Sequence, residues 1–300
     1  MAAQSMTADY SEDAWARRRD SLAKAWYKFS RNWLSIVGLG LVVLILFLAL
    51  FAPYVTPYPK HAGKYVSFTT RNLAPSAEHI MGTDVYGRDV LTRVVFAFGN
   101  ALLMALGVLL ISVPIGTLTG MVAGYYVGTW VETVIMRITD VFISLPPLIL
   151  ALAVASVLRP TLTNSMMAVT ISWWPWYTRL TFSLASSLRN EYYVQAAELT
   201  GASRMHILFR EILPNCSSSI FTKMALDVGW VILVGASLSF VGLGEQPPKP
   251  ALGTMVADGI SRMPDQWWIA VFPALAIMII VLGFNLFGDG IRDMLAPEDV

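Results

Sequence analysis

The side chains able to do chemistry in this 300-residue sequence are charges rather than nucleophiles. Asp84, Arg88, Asp89 and Arg93 stand at i, i+4 spacing, so Asp84–Arg88 and Asp89–Arg93 can each pair along one helical face, with Asp84 placed to cap the N-terminus. Arg137, Asp140, Arg179, Lys223 and Asp227 lie inside otherwise apolar stretches. Lipid penalises such residues, so they mark ion pairs or a polar route. Arg137 and Asp140 are three apart and can neutralise each other. Asp227 has only Lys223, four residues earlier, as a local base, and is a candidate to line a path with Asp140. Trp173 and Trp176, in Trp173-Trp174-Pro175-Trp176, could stack on peptide groups, although aromatics more often anchor or pack spans.

Covalent chemistry has no support. GxSxG, HExxH and Cys–His pairings are absent, and without GxxxxGK[ST] the chain holds no ATP on a phosphate loop of its own. The lone Cys216 excludes an internal disulfide and a cysteine metal cluster, and His61, His79 and His206 show no ligand spacing. No catalytic residue, metal or bound cofactor is expected. A net charge of +1 offers no basic face for nucleic acid.

These charges are carried by elements that belong in lipid. Hydrophobic residues make up 56% of the sequence and charged ones 14%, and the mean hydropathy is +0.59. A core of this size cannot hide that much apolar surface. Spans of about 20 residues are expected near 36–52, 101–124, 131–158, 164–187, 217–242 and 267–288. Six basic residues precede the first span and about three follow it closely, which places the N-terminus inside. Trp15, Leu22, Trp26, Phe29 and Trp33 form one stripe, with Arg17, Lys24, Lys28 and Arg31 opposite, as in a helix lying in the membrane interface. Gly116, Gly120, Gly124 and Gly128 repeat every fourth residue, a packing seam. Pro146-Pro147 and Pro175 should bend their helices.

The most informative stretch is polar and lies between two apolar ones, 191–214. Tyr192 to Leu199 reads as a short helix, Gly201 as a turn with positive φ, and Ser203 as the N-cap of a second short helix stopped by Pro214. Ala196 and Ala197 let a partner approach closely, while Glu198, Arg204, Arg210 and Glu211 can set its register by charge.

Gln195-Ala196-Ala197, Gly201 and Leu213-Pro214 resemble the EAA loop of bacterial ABC-import permeases, E-A-A-x3-G-x9-I-x-L-P, with Gln195 in place of the glutamate and Glu211 in place of the isoleucine. Gly82-Thr83-Asp84, Gly87-Arg88-Asp89 and Arg93 resemble the G-T-D-x-x-G-R-D-x-x-x-R element of the dipeptide, oligopeptide and nickel subfamily. Gly242-Leu243-Gly244-Glu245-Gln246-Pro247-Pro248-Lys249-Pro250 resembles a stretch of its C-type member, with Leu252-Gly253 where Trp-Gly is usual, and 284–293 resembles its C-terminal signature.

The resemblance covers about residues 20–297. It implies an all-α, six-span, type I ABC importer transmembrane domain in the bacterial cytoplasmic membrane, with both termini cytoplasmic. Residues 1–35 would form the tail with its interfacial helix, 36–290 the permease domain, 53–100 a periplasmic segment, 189–214 the cytoplasmic coupling loop and 291–300 a short tail. It implies that Gln195, Ala196, Ala197, Glu198, Gly201, Arg204, Arg210, Leu213 and Pro214 couple to ATPase subunits. It also implies that Gly82, Thr83, Asp84, Gly87, Arg88, Asp89 and Arg93 help receive or gate substrate. The implied partners are a homologous B-type permease, two cytoplasmic ATP-binding subunits holding ATP and Mg, and an extracytoplasmic substrate-binding protein. The implied cargo is short peptides, with nickel chelates or glutathione-like peptides as alternatives. An ion-coupled secondary transporter is the rival of a different class, and one isolated Asp227 serves it poorly.

Overall fold

The computed structural model describes residues 19–20 and 23–295. Trp15 and Leu22 of the expected N-terminal stripe, Arg17 on the face opposite it, and 296–300 of the expected tail lie outside the described residues.

Described residues form helices α1 (23–31), α2 (Trp33–Leu50), α3 (Ala52–Val55), α4 (Val90–Tyr125), α5 (Trp130–Ile143), α6 (Pro147–Val157), α7 (Leu162–Leu188) and α8 (Tyr192–Leu199). They continue with α9 (Arg204–His206), α10 (Leu213–Phe240), α11 (Leu252–Ile260) and α12 (Trp268–Leu295). Among the described residues, four helices are long and apolar enough to cross a membrane: α2, α4, Arg204–Phe240 and α12. The pair α5–α6 makes a fifth if its 86° bend is one broken span. That bend sits at Pro146-Pro147, where the missing backbone donors end one helix and start the next. The sixth expected span is α7, whose 27 residues are long enough but include many hydroxyls and Arg179. It packs between α4, α5, α6 and α10 with Tyr177, Ala168 and Ala185 fully buried, so helices rather than lipid face much of it.

Where the seam was expected, the glycines explain the closeness of α4 and α7. A Cβ on Gly116 would strike Tyr177, one on Gly120 the Thr178 carbonyl, and one on Gly124 would lie 2.6 Å from the Ala185 Cβ. Small residues in this register let two backbones touch. Gly128 is not part of the seam: it lies past the end of α4 at φ +83°, with open space around it.

Several boundaries differ from the sequence reading. The helix that carries the second expected span starts at Val90, ahead of the expected 101. Pro214 does not stop a helix. Ile207–Ile212 forms a π-helical stretch that joins α9 to α10, and the chain runs on as one rod. A wider turn ahead of the proline relieves the clash of its ring with the preceding carbonyls. Within the described part of the N-terminal stripe, Trp26 stacks on Phe29 with ring centroids 5.8 Å apart. Phe29 is buried against Phe287 and Gly290, while Trp26 and Trp33 are exposed, and Asn32 caps a new helix between Phe29 and Trp33. The last helix reaches Leu295, into the expected tail.

Candidate functional site

Two sites lie at opposite ends of α4. At the loop end, Gly82 and Gly87 adopt φ of +73° and +77°, and side chains there would meet Leu73, Trp268 and Ser67. These glycines fold 82–89 into a tight loop closed by a bridge between Thr83 and Asp89. Asp84 sits inside it. Its Oδ1 accepts from the backbone N–H of Tyr86 at 2.8 Å and of Arg88 at 2.9 Å, and its Oδ2 accepts from Arg88 Nε at 2.7 Å. Arg93 Nε lies 3.6 Å from the same oxygen. Asp84, Arg88, Asp89 and Arg93 are all buried, so this is an enclosed ion cluster rather than a solvated helical surface.

Two expectations are corrected here. The cap of α4 is Asp89, whose Oδ2 accepts from Thr92 N at 2.8 Å, and not Asp84, which caps the loop. The second pair is not Asp89–Arg93. Asp89 Oδ1 instead bonds His79 Nδ1 at 2.9 Å, and Arg93 Nη1 donates to the carbonyls of His61 at 3.3 Å and Pro248 at 3.2 Å. The loop geometry swings the Asp89 carboxylate onto its own helix terminus, where free N–H groups hold it. His61 Nδ1 accepts from Asp89 N at 2.9 Å, so that nitrogen carries no proton. Burial lowers the His61 pKa, opposed by Asp89 and reinforced by His79.

At the other end, 191–214 folds as a hairpin. Gly201 has φ +83°, and its N–H and that of Ala202 close α8 onto the carbonyls of Glu198 and Ala197, both at 3.0 Å. Ser203 Oγ accepts from His206 N. Val194, Ile207 and Ile212 are buried and anchor the hairpin, while Gln195, Ala196, Arg210 and Pro214 face outward and Ala197 and Leu213 are half-buried. Large apolar side chains stand out beside them: Leu199 is 90% exposed, Tyr192 87% and Met205 63%. Exposed apolar groups ringed by charge are what an interface presents.

The match to known proteins runs along most of the chain. The family model described as "Binding-protein-dependent transport system inner membrane component" matches residues 116–298, and that of the "N-terminal TM domain of oligopeptide transport permease C" matches 21–75. This chain belongs to that family of ABC-importer permeases. Relatives include a probable D,D-dipeptide transport system permease protein DdpC of Escherichia coli K12, 40% identical over 92% of this chain and 91% of that protein. A dipeptide permease DppC of Alkalihalophilus pseudofirmus is 37% identical, covering 92% and 89%. A glutathione permease GsiD of Pectobacterium atrosepticum is 38% identical, covering 91% and 90%. The fold is similar to the MetNI methionine ABC transporter solved in inward-facing conformations, with TM-score 0.54 and 17% identity over 69% of this chain and 97% of that one.

Within the permease, the candidate path residues separate. Asp227 is 5% exposed and accepts from Trp173 Nε1 at 3.0 Å and from Lys223 Nζ at 3.1 Å, so those three form one cluster. Trp176 is more exposed and does not join it. Asp140 pairs with Arg179 of α7, which packs against α5, rather than with Arg137. That pair is about half exposed on the bundle surface. Sequence reasoning missed Tyr125 and Tyr126. Their hydroxyls meet Glu198 and Arg204, two residues expected to contact a partner. The signal available was a pair of aromatics one turn before Gly128, where the glycine seam ends.

Proposed function

We propose that this permease forms half of the translocation pathway of an ATP-driven importer for dipeptides and oligopeptides in the cytoplasmic membrane. The observation that carries the reading is the hairpin at one end of the bundle, with Leu199, Tyr192 and Met205 exposed beside Ala196 and Ala197. A related B-type permease completes the path. Two ATPase subunits, which hold ATP and Mg, dock on the hairpins from the cytoplasm, where both termini also lie. An extracytoplasmic binding protein delivers peptide to the loop end. Nucleotide closes the ATPase pair and rocks the permeases between two arrangements. The chain itself changes no bond in the substrate.

The likeness to dipeptide permeases supports the cargo. Equal likeness to a glutathione permease supports a second reading of the same kind, since glutathione is itself a small peptide. Reconstitution of the assembled complex in proteoliposomes tests the proposal. Labelled dipeptide should accumulate only with ATP and the binding protein. Uptake by the lone chain under an ion gradient, without ATP, overturns it.

A further inference from the structure

We infer that Tyr125 and Tyr126 are positioning residues for energy coupling, clamping the hairpin to the end of α4 so that its movement is carried along α4 to the loop end. This rests on the hairpin being the ATPase dock. Tyr125 Oη donates to Glu198 Oε1 at 3.0 Å, and Arg204 Nη1 donates to Tyr126 Oη at 3.1 Å. The Arg189 guanidinium lies 5.7 Å over the Tyr125 ring, and that of Arg204 5.6 Å over the Tyr126 ring. Arg189 Nη1 also donates to the Val127 carbonyl at 3.3 Å. The hairpin is thus held at its entry, at its first helix and after its turn, all by three consecutive residues at one helix end. Charge-assisted bonds and cation–π contacts fix direction as well as distance.

What lies behind the clamp is one continuous helix, in which Pro114 removes a single backbone donor without ending the run. α4 is one helix of 36 residues, a rod of about 54 Å. Through Gly116, Gly120 and Gly124 it lies against the backbone of α7, the helix that leads into the hairpin, so neither can slide past the other. At its far end Arg93 and Asn100 donate to the carbonyls of Pro248 and Pro250, and Asp89 bonds His79. A push on the hairpin therefore reaches the loop end through one packed body. The clamp also engages Glu198 and Arg204. Each bonds a tyrosine of its own chain while staying exposed beside Tyr192, Leu199 and Met205.

The test uses the assembled transporter in proteoliposomes and reads peptide imported per ATP hydrolysed. Tyr125→Phe and Tyr126→Phe keep the rings under Arg189 and Arg204 and remove only the hydroxyls. Tyr125→Leu/Tyr126→Leu removes both contacts. The ATPase subunits should stay bound and hydrolyse ATP in all of these variants. Peptide per ATP should fall about threefold in the Phe variants and at least tenfold in the Leu pair. A merely structural role would lower assembly, hydrolysis and uptake together and leave the ratio unchanged. An unchanged ratio in the Phe variants overturns the inference, whether or not the Leu pair assembles. If instead the wild-type hairpin makes no cross-link to an ATPase subunit, it is the docking reading that fails.

Discussion

Asp84 is the residue on which the loop end depends. It satisfies two backbone N–H groups and one guanidinium, and a second guanidinium stands close by. Asp84→Ala leaves Arg88 buried without its carboxylate, a loss of about 3–5 kcal/mol when a buried pair is broken from one side. The expected result is a lower unfolding midpoint in detergent, followed through Trp268, whose indole N–H donates to the Thr83 carbonyl. An Asp84→Ala protein as stable as the parent contradicts the cluster. His61 adds a pH dependence. Its folded pKa lies below the unfolded value of about 6.5, mainly through burial. Below that value the unfolded chain takes a proton that the folded loop resists, so stability is full above about pH 6.5 and declines as pH falls. His61→Asn, which cannot titrate, should flatten the decline when the midpoint is measured across that range. Here the sequence was half legible. The Asp84–Arg88 pairing could be read from spacing, but not that the pair is buried in a loop, because that depends on the positive φ of Gly82 and Gly87 and on Trp268, distant in sequence.

Among elements, the seam between α4 and α7 makes a sharp contrast. Gly120→Leu would drive a side chain into the Thr178 carbonyl, and overpacking of this kind costs about 1–3 kcal/mol. Gly128→Ala meets open space and carries only the left-handed backbone penalty of about 1–2 kcal/mol at a helix end. The first should lower resistance to denaturant and disturb assembly, and the second should lower resistance modestly and leave assembly intact. Equal effects on assembly would remove the seam from the account. The four-residue period made three of the glycines readable, and the fourth shared the period while ending the helix. The two proline sites show the same limit. Pro146-Pro147 broke a span because the chain could turn by 86° there. Pro214 did not, because the π-helical turn before it accommodates the ring, and such a turn leaves no mark in hydropathy.

At the scale of the whole molecule, the bundle separates a buried ion cluster at one end from a protruding hairpin at the other, with α4 spanning the distance between them. The spans and the hairpin were legible because both are local patterns: apolar runs, a pair of alanines and a glycine at fixed spacing. The contacts that join them were not, since Tyr125 meets Glu198 from 73 residues away and Arg93 meets Pro248 from 155. The central claim is that the hairpin is where ATP-hydrolysing subunits grip this chain. Leu199→Cys gives a probe for it, because Leu199 is almost fully exposed and the native Cys216 is buried and silent. In inside-out vesicles holding the complete transporter, a short bifunctional reagent should join this position to an ATPase subunit, with a yield that changes when ATP is bound. Labelling of the same position only from the opposite face, or no cross-link in a complex that still imports peptide, contradicts the account.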